Sequence, residues 1–82
     1  FGGTLEGARV YPREVVKIAL EQTAAAVILV HYDPSEDPEP SQTDRALTAT
    51  LKNALNMIGT QLLDHVVVGY EGGVSLAERG LL

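Results

Sequence analysis

The sequence predicts an α/β fold in which a mixed sheet is flanked by helices. Two helical patterns alternate with two strand patterns along the chain, and the connections between them are short. This order builds layered α/β domains. With 82 residues, of which 45% are hydrophobic and 21% charged, the chain has the composition of one small globular domain.

Both predicted helices carry apolar residues at helical spacing. The first covers residues 12–23, and Pro12 stands where a first helical turn tolerates proline. The second covers residues 42–58, and Ser41 and Asp44 resemble a capping box at its start, with Asp in place of the usual Glu. The two patterns therefore predict two amphipathic helices.

The strand patterns are short, apolar and rich in β-branched residues. Residues 25–32, "AAVILVHY", form a continuous apolar run that is typical of a central strand buried on both faces. Residues 62–70 predict a further strand, and "VSLAERGLL" predicts a brief strand followed by a short helix. The initial "GGTLEGARV" is compatible with another strand or with an extended arm.

Charge and hydropathy exclude several classes of protein. The formal charge of -5 argues against nonspecific nucleic-acid binding, which depends on Lys and Arg neutralising phosphates. The longest apolar run, "AAAVILV", is far shorter than the roughly 18 residues of a membrane span. The start has no signal-peptide pattern and the chain has no cysteine. We therefore predict a cytoplasmic protein that does not enter a membrane.

Chemistry-bearing residues cluster after the 25–32 strand. His31 and Asp33 alternate onto one face at its carboxyl end, and Ser41 and Asp44 begin the next helix. Ligands of open α/β sheets bind at such places, and one imidazole with two carboxylates leaves a metal position open for water. That arrangement suits hydrolysis. A hydrogen-bonded strand-end histidine beside an ordinary helix cap explains the same residues.

These residues also carry a resemblance to a family. "GTLEGARVYPREVVKIAL", "AAAVILVHYDPSEDPEPSQTD", "LLDHVVVG" and "VSLAERGLL" resemble the carboxyl-terminal part of the RadC family, bacterial proteins historically labelled DNA repair proteins. The resemblance identifies residues 1–82 as one partial JAB/MPN (JAMM) metalloprotease-like domain of cytidine-deaminase-like architecture, without its N-terminal strands. The family pattern is His-x-His, seven residues, Ser, two residues, Asp, and His31, Ser41 and Asp44 match it.

The chain departs from the family pattern at two positions. Asp33 stands where the pattern has its second histidine, and Glu36 stands where RadC proteins typically have glycine. The resemblance also places a general-base Glu on a strand before "FGGTL", so residues 1–82 are expected to lack this base. A carboxylate in place of an imidazole makes the ligand set harder, so zinc affinity is expected to fall.

The resemblance implies a zinc-dependent hydrolase in which His31, Asp33 and Asp44 hold the metal and Ser41 stabilises the oxyanion of a peptide or protein substrate. An inactive domain that binds a protein partner is the alternative. A role in DNA repair, as the family's historical label suggests, is the third possibility, and the net negative charge of the chain does not support it. We also expect a homo-oligomer, because missing strands would leave a sheet edge or an apolar face exposed.

Overall fold

The structure is a computed structural model that describes the backbone of residues 2–6 and the whole of residues 10–32, 40–70 and 72–82. The chain alternates strands and helices and closes with a hairpin. In order, the elements are β1 (Gly2–Glu6), α1 (Pro12–Glu21), β2 (Ala26–Tyr32), α2 (Gln42–Met57), β3 (Gln61–Gly69) and β4 (Gly72–Ser75). The predicted α/β class is confirmed, and the initial segment supplies a strand.

The described strands form one mixed sheet in the order β1-β2-β3-β4. β1, β2 and β3 run parallel, whereas β4 pairs antiparallel with β3. Each parallel step passes through one helix, and such crossovers are almost always right-handed. Because both steps move in the same direction across the sheet, α1 and α2 cover the same face.

The core lies between that face and the two helices. Val15 and Ala19 of α1 pack with Leu51 and Leu55 of α2, both of which have no exposed surface. The strands contribute Val27, Leu29 and Leu62 to the same cluster. The predicted amphipathic helices are confirmed, with α1 ending at Glu21 and α2 at Met57. Neither helix is long and apolar enough to cross a membrane.

Two of the sequence predictions are wrong. β2 has the central position that its apolar run predicts, but Ile28 and Tyr32 are 40% and 36% exposed. They point away from the helices, so only the face that carries Val27 is covered. The short helix expected within residues 74–82 is also absent from this described stretch, since residues 76–80 form turns.

One irregularity decides which β3 side chains face inward. Val27 pairs with Leu62 but Ile28 pairs with Asp64, so β3 has one extra residue, Leu63, at this point. Such a β-bulge shifts the alternation of side chains by one position. Leu62 and His65 therefore both face the helices, although they are three residues apart.

Candidate functional site

The predicted site residues meet where β2 ends and α2 begins. His31 precedes the last residue of β2 and is 5% exposed, because it shares the covered face with Leu29. Ser41 is the N-cap of α2 and Asp44 lies in its first turn. The site thus combines a strand carboxyl end with a helix N-terminus, where ligands of parallel α/β sheets commonly bind.

Ser41 and Asp44 form the capping box that the sequence predicts. The Asp44 Oδ2 atom accepts hydrogen bonds from the Ser41 backbone N–H at 3.1 Å and from the Ser41 hydroxyl at 2.9 Å. The Asp44 backbone N–H donates to Ser41 Oγ at 3.1 Å. The Ser41 proton is therefore directed at Asp44, and the hydroxyl would have to leave this carboxylate before it could donate to an oxyanion.

His31 faces the other carboxylate oxygen of Asp44. The distance from His31 Nδ1 to Asp44 Oδ1 is 3.8 Å, and Asp44 is 3% exposed. A buried carboxylate is costly unless a cation or hydrogen-bond donors compensate it. Two hydrogen bonds from Ser41 stabilise Oδ2, and the His31 imidazole is the group beside Oδ1.

Two of the three predicted metal ligands, His31 and Asp44, are among the described residues. Zinc bonds of about 2.0 Å at a tetrahedral angle separate neighbouring ligand atoms by roughly 3.3 Å. The distance of 3.8 Å between His31 Nδ1 and Asp44 Oδ1 is longer, so these two atoms would have to move closer together to bind the same zinc ion. Asp33, the third predicted ligand, lies outside the described residues, as does Glu36. Within the described part of the chain, His, Asp and Glu side chains form no group of three that could hold a metal ion.

The structure adds a residue to this cluster that the sequence analysis did not select. His65 of β3 has no exposed surface, and its ring lies 6.0 Å from the His31 ring with 20° between their planes. Burial lowers the pKa of His65 below its ordinary value, and the nearby imidazole of His31 acts in the same direction, although the Asp44 and Asp64 charges oppose the shift. Its signal in the sequence is a histidine at the start of the apolar strand pattern "HVVVG".

Asp64, the neighbour of His65, points to the opposite side of the sheet and anchors the segment after β4. Its carboxylate accepts hydrogen bonds from the Ser75 hydroxyl, from the Ala77 backbone N–H at 3.0 Å and from the His65 backbone N–H at 2.7 Å. Burial raises the pKa of Asp64, but these bonds outweigh it and hold the pKa below its usual value. Asp64 therefore has a structural role.

Comparison with known proteins identifies one family that matches almost the whole chain. Residues 1–81 match the family described as "RadC-like JAB domain". The chain is 58% identical over 82 residues to a UPF0758 protein of Vibrio cholerae and 56% identical over 82 residues to one of Marinobacter nauticus. It is 59% identical over 80 residues to a UPF0758 protein of Shewanella baltica strain OS155.

The matched relatives are longer than this chain. The three alignments cover 100%, 100% and 98% of the chain, in the same order, but 51%, 37% and 36% of the relatives. The chain thus spans about half of the Vibrio protein and little more than a third of the other two.

Proposed function

The chain belongs to the RadC-like JAB domain family, and on this premise we propose that it carries a metal-dependent hydrolase site of the metallopeptidase type. The observation that supports the proposal is the buried pair of His31 and Asp44, which face one another at 3.8 Å where β2 meets α2. In the proposed site a cation would lie between the His31 imidazole and Asp44 Oδ1, the oxygen that does not accept hydrogen bonds from Ser41.

Each residue has a distinct role in this proposal. His31, Asp44 and Asp33 would hold zinc, which when bound lowers the pKa of a water ligand to about 7. Ser41 fixes Asp44 through the capping box, so that Oδ1 stays directed at His31. The general base that the family resemblance places before "FGGTL" would take the proton of the water that attacks a substrate amide.

The substitution at position 33 sets the expected metal affinity. With Asp33 in place of the family's histidine, the ligand set has one imidazole and two carboxylates, which favours harder cations more than zinc. We therefore expect weak zinc binding. Asp33→His should raise the affinity, and His31→Ala should abolish binding because it removes the imidazole ligand and leaves only carboxylates, which the rest of the site does not hold at a fixed separation.

The test is a calorimetric zinc titration of the wild-type protein and of these two variants. Asp37→His is the matched control, since it adds an imidazole to the same 33–39 segment at a position that the family pattern does not use. Asp33→His should bind zinc more tightly than both the wild type and Asp37→His. Equal affinity in all the proteins would mean that His31 is not a ligand, and the proposed function would be wrong.

A catalytically inactive domain that binds a protein partner is a second candidate, and Asp33 in place of the pattern's histidine is the observation that favours it. The two candidates differ in hydrolysis. Incubation of a peptide library with the zinc-loaded protein, followed by mass spectrometry, should reveal cleavage that His31→Ala lacks if the site is catalytic. Zinc binding without such cleavage, in a protein that carries the family's general base, would favour the inactive domain.

A further inference from the structure

A second layer of buried polar residues lies beneath the candidate site. The β2–β3 register pairs Leu29 with His65 and His31 with Val67, so the two histidines sit diagonally on the same covered face. His65 is the deeper of the two, and its ring packs against the His31 ring with a centroid distance of 6.0 Å. His65 therefore limits the space in which the His31 ring can turn.

Thr48 connects this deeper histidine to the helix that carries Asp44. Its hydroxyl donates to the Asp44 backbone carbonyl at 2.7 Å and lies 2.7 Å from His65 Nδ1. A threonine hydroxyl has one proton, and that proton is used on the carbonyl, so His65 Nδ1 must carry a proton and donate to Thr48. In the neutral imidazole Nε2 is then the unprotonated nitrogen, and among the described residues it has no hydrogen-bond partner.

These contacts connect four buried residues in a ring, so that each residue contacts two of the others. Asp44 faces His31 through its side chain and contacts Thr48 through its carbonyl, while Thr48 holds His65 and His65 packs against His31. We propose that Thr48 and His65 are positioning residues that keep His31 and Asp44 facing one another. The consequence of this role for metal binding rests on the proposed function, whereas the orientation of His31 does not.

The chain offers a matched control for Thr48. Thr60 is 3% exposed and donates its hydroxyl to the Ala24 carbonyl at 2.8 Å, at the opposite end of the sheet from the site. Thr48→Val and Thr60→Val each remove a hydroxyl that donates to a backbone carbonyl, but only the Thr48 hydroxyl also contacts His65. Thr48→Ser is the conservative variant because it keeps the hydroxyl. If a valine variant does not fold, Thr48→Ala and Thr60→Ala give the same comparison.

The first measurement uses the metal-free protein. Nitrogen-15 NMR of the histidine side chains should show His65 with its proton on Nδ1 in the wild type, Thr60→Val and Thr48→Ser. In Thr48→Val the chemical shifts of the two His65 ring nitrogens should average, because the ring exchanges between its two tautomers. NMR relaxation should show increased motion of the His31 ring. A purely structural role would change the His31 ring equally in Thr48→Val and Thr60→Val, and that result would overturn the proposal.

The second measurement is the zinc affinity of the same proteins. Loss of a residue that orients a metal ligand typically weakens metal binding about tenfold to 100-fold, and we expect this loss for Thr48→Val but not for Thr60→Val or Thr48→Ser. If the wild type binds no zinc but the His31 ring loosens only in Thr48→Val, the proposed function fails and the positioning role stands. If the wild type binds zinc and both valine variants bind it equally well, the positioning role is overturned.

Discussion

Replacement of Ser41 by alanine tests how far the helix cap maintains the candidate site. Ser41→Ala removes the oxygen that accepts the Asp44 backbone N–H and the hydroxyl that donates to Asp44 Oδ2. The Ser41 backbone N–H remains as a donor to the same carboxylate. The variant therefore leaves Asp44, which is 3% exposed, with fewer donors while it stays buried.

The expected loss follows from these two contacts. Loss of a Ser N-cap costs about 1 kcal/mol in the free energy of unfolding, and loss of a hydrogen bond to a buried charged group costs about 1.5–3 kcal/mol. Since one donor to the carboxylate is retained, we expect a total at the lower end of their sum, about 2.5 kcal/mol. Domains of this size have a free energy of unfolding of roughly 4–12 kcal/mol, so Ser41→Ala should fold, with its Tm lowered on the order of 10 °C.

Urea unfolding followed by circular dichroism measures this loss directly. Ser75→Ala is the matched control, because Ser75 also donates to a carboxylate, that of Asp64, and accepts a backbone N–H, that of Glu78. Asp64 is more exposed than Asp44, so Ser75→Ala should cost less. A loss below about 0.5 kcal/mol for Ser41→Ala, the range of ordinary surface changes, would refute the argument that the cap holds Asp44.

Two further predictions concern pH and association. Because the folded pKa of Asp64 lies below its ordinary value of 3.8, its contribution to stability is complete above that pH and is lost as the pH falls through the folded pKa. Asp64→Asn should therefore be less stable than the wild type at neutral pH, with a difference in unfolding free energy that shrinks on acidification; a difference that grows would contradict this. Light scattering should report a homo-oligomer, since Ile28 and Tyr32 expose apolar surface on the face away from the helices, and a clean monomer at high concentration would count against it.

The elements that local patterns determine could be predicted from the sequence. Neighbouring apolar residues of the α2 stripe lie about one helical turn apart, and so do Ser41 and Asp44 of the capping box. The spacing of residues in the sequence therefore indicates both features. The one-sided burial of β2 could not be predicted in this way. An apolar run such as "AVILV" satisfies either one covered face or two, and the topology of the crossovers decides which faces the helices cover.

His65 shows why the deeper layer of the site required coordinates. Leu62 faces the core, and simple alternation along β3 would then bring Asp64 inward and turn His65 outward. The extra residue Leu63 reverses that outcome, because the bulge between the Val27 and Ile28 pairs shifts every following side chain to the other face. The same shift turns the Asp64 carboxylate away from the helices, where it accepts a hydrogen bond from the Ala77 backbone N–H after β4. Since the bulge arises from pairing between two strands, no pattern within β3 alone could place an imidazole beneath His31.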